Sequence, residues 1–219
     1  MTTFPNSPKL RKGGLVLLDA RTSRVMKVIA LQYNPESLSR TLQSKGSDAE
    51  DGDRSEALRL TGPPVETIKV EAELDATDQR EQARKGSKQS ENSLHAQLAV
   101  LESIIYPNSQ KIREHRSLAD RGVMELAPAE SPLTVFVWST QRVVPVRITE
   151  FSVTEEDFDP ELNPTRAKVS LGMRVLNADD LGFDHKGTNL FTVYHQKKEQ
   201  LADQFRQGNL LTSFGIRRI

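Results

Sequence analysis

The chain has no cysteine, a single tryptophan, and aromatic residues at only 5% of its 219 positions. Without cysteine there can be no disulfide, thiolate nucleophile or cysteine-ligated zinc, and the expectation is a protein folded in the reducing cytoplasm. No excess of charge exists either: thirty basic and thirty acidic side chains cancel. The long-range field of a nucleic-acid binder is therefore missing, and no nucleic acid is expected as a partner. No run approaches the ~20 consecutive apolar residues of a membrane-spanning helix. The opening segment holds Pro5, Pro8, Lys9, Arg11 and Lys12 with no apolar stretch of leader length, so neither an export leader nor a membrane anchor is expected.

Sequence signatures of chemistry are also missing. There is no glycine-rich phosphate loop, GxSxG elbow or HExxH helix. No two of His95, His115, His185 and His195 have the i, i+4 spacing of metal ligands. Asp48, Glu50, Asp51 and Asp53 lack the regular spacing and closing glutamate of a calcium loop. Arg84, Lys85 and Lys88 have no interleaved aromatics on which bases could stack. Asp157, Asp159 and Glu161 lie in a segment cornered by Pro160 and Pro164, where carboxylates serve turns. The expectation is therefore no catalytic residue, no cofactor and no metal, with a hydrolase as the least favoured alternative.

Present instead are strand patterns. Apolar residues make up 36% and charged residues 27% of the chain, enough for one core with polar appendages. Residues 14–19 and 24–33 read as a strand pair, and Asn34-Pro35 bends the chain before an extended stretch from Leu38 to Leu42. Residues 44–64 and 77–91 read as long loops, open until a neighbour orders them. Thr67 to Leu74 alternates cleanly, with Ile68, Val70, Ala72 and Leu74 inward. Leu94, Leu98, Leu101 and Ile105 form one stripe of a helix stopped at Pro107.

Residues 133–139 and 142–148 flank the two-residue connection Thr140-Gln141, a hairpin. The inward set Val144, Val146, Ile148 then jumps to Phe151 and Val153, which places a β-bulge at Thr149-Glu150. In the last strand Ala167, Val169, Leu171, Met173 and Val175 face inward, while Arg166, Lys168 and Arg174 give a cationic outer face. Leu190, Val193, Tyr194, Leu201 and Phe205 predict a second helix, carrying Lys197 and Lys198. The tail that follows exposes Leu210, Leu211, Phe214 and Ile216 for a partner. The fold class is α+β, mainly β.

Two stretches resemble a known family: Leu31-Gln32-Tyr33-Asn34-Pro35-Glu36-Ser37-Leu38-Ser39-Arg40, and the run from Val137-Trp138 through Arg142-Val143-Val144-Pro145-Val146-Arg147 to Phe158-Asp159-Pro160-Glu161-Leu162-Asn163-Pro164-Thr165-Arg166-Ala167. They look like the tube-type domain of contractile injection systems, the phage-tail-like particles. The resemblance implies a split β-barrel of antiparallel strands flanked by a helix over residues 14–178. A flexible segment, 1–13, would precede it, and a C-terminal helix and docking tail, 179–219, would follow. It further implies a structural subunit, assembled in the cytoplasm as part of a particle, forming a ring of about six copies at the base of the inner tube. Partners would be the inner tube protein, the spike or hub and other baseplate proteins.

Gln32, Tyr33, Asn34, Pro35, Trp138, Asp159, Pro160, Asn163 and Pro164 would be its assembly and structural positions, and Leu210, Leu211, Phe214 and Ile216 its docking residues. Many relatives continue into a peptidoglycan-binding LysM module, which is not expected here after the second helix. The alternatives are the main inner tube subunit of the same particle and a peptidoglycan-binding or scaffolding module.

Overall fold

A computed structural model describes residues 11–46, 60–76, 94–122 and 131–204. Seven strands form one antiparallel sheet: β1 Gly14–Leu18, β2 Val25–Ala30, β3 Leu38–Gly46, β4 Leu60–Asp75, β5 Leu133–Ser139, β6 Arg142–Phe158 and β7 Pro164–Val175. Among the described residues three helices accompany it: α1 Leu94–Glu102, α2 Ser109–Asp120 and α3 Lys186–Gln204. The class is α+β and mainly β, as the strand patterns predict.

The order across the sheet is β2-β1-β5-β6-β7-β4-β3, so among the described residues β2 and β3 are free edges and the sheet is open. It is nevertheless curled. In a flat sheet β2 and β4 would lie five strand spacings apart, about 24 Å. Yet Gln32, two residues beyond β2, bonds the backbone of Asp75 at the end of β4: its Nε2 donates to the Asp75 carbonyl at 2.7 Å and its Oε1 accepts from the Asp75 N–H at 2.9 Å.

Part of the curvature comes from β6. Its register against β7 shifts between Ile148 and Glu150, where the phase slip places a bulge, and a bulged strand bends. Glu150 then stands opposite Gly172, whose other neighbour across the sheet is Lys69. With no side chain between them, Lys69 Nζ reaches Glu150 Oε2 at 2.9 Å over the glycine. A Cβ on residue 172 would stand 2.8 Å from the Glu150 Cβ.

The main core is the concave face of this sheet. Ile68, Val70 and Leu74 of β4, Val144 and Val146 of β6, and the inward set of β7 are all buried, with α1 laying Leu94, Leu98 and Leu101 on them. A smaller cluster on β1 and β5, around Leu18, Leu133 and Val135, is covered by Leu181 and Leu190. β1 is thus buried through both faces, which is why its sequence is a continuous apolar run instead of an alternating one.

Several expectations need correction. The stretch 44–64 is not all loop: β3 runs to Gly46 and β4 starts at Leu60. Positions 47–59, like all of 77–91, lie outside the described residues. Ile105 does not join the α1 stripe, because the helix ends at Glu102 and a turn leaves Ile105 45% exposed. Helix α2 is absent from the sequence reading. Its apolar residues Ile112 and Leu118 are both exposed, so there is no stripe to see; only Asn108, whose Oδ1 caps Gln110 N at 2.8 Å, marks its start.

The outer face of β7 is not cationic either. Arg166 lies 3.6 Å from Asp75 and 3.7 Å from Asp157, Lys168 lies 3.1 Å from Glu156, and Arg174 lies 2.6 Å from Asp180. Neighbouring elements supply these acids, which the pattern of one strand does not show. On α3, Tyr194 enters the core while Val193 and Leu201 stay exposed. Phe205 lies outside the described residues.

Candidate assembly surface

The segment after β2 is built as a clamp. Besides the Gln32 bonds, Asn34 Oδ1 accepts from Gly13 N at 2.9 Å and Asn34 Nδ2 donates to the Arg11 carbonyl at 2.7 Å. Both amide side chains therefore act as extra backbone, each satisfying one N–H and one C=O of another segment. Pro35 then cannot continue the ladder, and the chain crosses to β3 on the opposite edge. Tyr33, Asn34 and Pro35 line a cleft of about 210 Å³ that Glu71, Glu73 and Lys168 also face. Trp138, half-buried, stacks on Phe136 at 5.9 Å between ring centroids and covers Gly13.

The tip of the β6–β7 hairpin holds Asp159, Pro160, Asn163 and Pro164. Asp159 Oδ1 accepts from Glu161 N at 3.0 Å and from Asn163 N at 2.8 Å, and Asn163 N and C=O close the turn back onto Asp159. This tight turn forces Asp157 and Leu162 into left-handed backbone, at φ 52° and 63°. For Leu162 the conformation is costly, and its side chain is 79% exposed, so no packing offsets the strain. Phe158, 55% exposed, adds a second large apolar group to the tip. Leu162→Asn should therefore raise folding stability by about 1 kcal/mol, because Asn adopts this backbone readily. Thermal or urea unfolding checks it; a fall in stability would mean that Leu162 packs in the free protein.

The two sheet edges differ. On β2, Val25, Met26 and Val28 are 61%, 60% and 66% exposed, with only Lys27 as a charge. On β3, Arg40 and Lys45 punctuate a mostly polar strand. Charged residues blunt an edge against pairing, whereas an apolar edge invites it. A second apolar surface is a groove of about 770 Å³ between the end of α1 and strands β5 and β6, lined among others by Ile104, Ile105, Leu133, Val146, Ile148 and Leu181.

One buried polar cluster was not foreseen. Glu66, on the inward face of β4 with a side chain only 3% exposed, accepts from Arg40 Nε at 2.7 Å, Tyr194 OH at 2.9 Å and Lys198 Nζ at 2.9 Å. Burial alone would raise its carboxyl, but the hydrogen bonds from Lys198, Arg40 and Tyr194 outweigh it and hold the group below the ordinary carboxylate value. Lys198 Nζ also sits 4.0 Å from the centre of the Tyr194 ring. The cluster ties β3, β4 and α3 together. Its one sequence signal was an acid in phase with Ile68, Val70, Ala72 and Leu74.

The docking positions Leu210, Leu211, Phe214 and Ile216 lie outside the described residues. Among the described residues, no group of three or more His, Asp or Glu is placed to hold a metal, and no helix is long and apolar enough to cross a membrane.

No protein-family model and no curated protein matches the chain. Solved structures similar to it include chains of the tail of an empty gene transfer agent particle with C6 symmetry and of the virion of the native gene transfer agent particle. They share 13% and 12% identity with it, each match covering 74% of this chain and 90% of the other, at a TM-score of 0.29 in both cases. At that score the fold rests on this chain's own strand order.

Proposed function

We propose that the chain is a structural subunit of a phage-tail-like contractile particle. In this reading, about six copies close into a ring at the base of the inner tube and join it to the spike or hub. The observation that carries the reading is the curled, open sheet with an apolar edge at β2 and a second free edge at β3. Such a sheet is completed when the edge of one copy meets that of the next, and repeated head-to-tail contacts of this kind close into a ring. Gln32-Tyr33-Asn34-Pro35 and Asp159-Pro160…Asn163-Pro164, which carry the family resemblance, supply the clamp that curls the sheet and the turn that shapes its longest hairpin. Residues 14–178 would be the tube-type domain and 179–219 the part that meets a different neighbour, through Leu210, Leu211, Phe214 and Ile216.

Electron microscopy of the purified protein at high concentration, and of particles from a strain lacking its gene, tests the proposal. Rings of about six copies, with spikes and hubs made but tubes and sheaths missing or detached in the deletion strain, are the expected result. Full-length contracting particles without the gene would refute the coupling role.

A further inference from the structure

We propose that the β6–β7 tip of one copy seats in the groove between α1, β5 and β6 of a second copy, with Leu162 and Phe158 as the inserted groups. The inference rests on the reading that the chain assembles with itself. The tip displays two large apolar side chains on a turn held rigid by Asp159, at the expense of left-handed backbone at Leu162. Strain kept where nothing in the free chain relieves it points to a use outside the chain. The groove offers the complementary shape, a concave apolar surface of about 770 Å³.

Two further observations choose the occupant. First, the groove is walled by Val146, Arg147 and Ile148, ten residues before Phe158 on the same strand, so tip and groove stand about 33 Å apart and cannot meet within one chain. A second copy brings a tip to the groove by a head-to-tail contact.

Second, the charges match. The tip carries Glu155, Asp157 and Glu161, all exposed. The described residues lining the groove include Arg147 and His185 and no acid. Arg147 has no ion-pair partner among the described residues, and its cross-strand neighbour is Arg174, already taken by Asp180. An acid-rimmed knob entering a groove with a spare arginine at its mouth satisfies both.

The absence of cysteine makes the test direct. Leu162→Cys and Ile105→Cys proteins are mixed under mild oxidation, alongside sedimentation velocity on the parent chain. A mixed disulfide dimer is expected to form on the order of tenfold faster than in a control mixture of Leu162→Cys with Val193→Cys, whose site lies on the exposed side of α3. Arg147→Glu should weaken association, and adding Glu161→Lys to the same chain should restore it. Association without a preferred 162–105 cross-link would overturn this docking while leaving self-assembly intact. A parent chain that stays monomeric at every attainable concentration would overturn both. All five sites are on the surface, and circular dichroism establishes that each variant is folded.

Discussion

Glu66→Ala should lower the unfolding free energy by about 3 kcal/mol and loosen α3 from the sheet. The carboxylate is buried and holds three donors from two other elements, so its loss strands the Tyr194 hydroxyl and leaves Arg40 and Lys198 uncompensated beside each other. Those two cations are themselves partly exposed and can turn to water, which keeps the cost below that of a wholly buried pair. Urea unfolding measures the loss, and hydrogen exchange on α3 locates it. A change of less than about 0.5 kcal/mol, the size of an ordinary surface substitution, would show that the cluster does not hold the helix.

The same carboxyl makes a pH prediction. Its value in the folded chain lies below the ordinary 4.5, so its contribution is fully present above that pH and is lost as the pH falls through the lowered value. Glu66→Gln should therefore flatten the acid limb of the stability curve below about pH 4.5 and leave the slope near neutrality unchanged.

Gly14→Ala is expected to destabilise by about 2 to 3 kcal/mol and to detach β2 from the sheet. Gly14 pairs with Ala30 at the end of the β1–β2 ladder, and a Cβ there would collide with the Ile29 carbonyl oxygen and stand 3.0 Å from the Ala30 Cα. Backbone cannot swing aside as a side chain can, so the strands would have to part. Because β2 carries the apolar free edge, the variant should lose self-association even where a large part of the sheet survives. Sedimentation velocity and amide exchange at residues 25–30 check this together. Retained protection of β2 would show that the ladder absorbs the methyl group.

A cut after Asn177 bears on the boundary between residues 178 and 179. From the sequence, removal of everything beyond it ought to spare the barrel. In the fold, the chain beyond it contributes Tyr194 to the main core, Leu181 and Leu190 to the smaller cluster, and Lys198 to Glu66. Cutting at Asn177 would therefore unroof the sheet as well as remove the tail.

The inward faces of β7 and of the second half of β4, and the β5–β6 hairpin, were determined by the sequence alone, because period-2 alternation and the two-residue turn at Thr140-Gln141 are local properties of the chain. So was the bulge in β6, since slipping one residue moves every later side chain to the other face and leaves a visible jump from Ile148 to Phe151. The residue types at the clamp and at the hairpin tip were legible in the same way, as Asn-Pro and Asp-Pro punctuation. What no local pattern holds is which elements meet. Only the tertiary structure decided that Gln32 bonds Asp75, that Lys198 and Arg40 converge on Glu66, and that four acids from three other segments neutralise the outer face of β7. Each of these contacts joins residues far apart along the chain or on different elements, and its energy depends on burial and distance, which exist only once the sheet has curled.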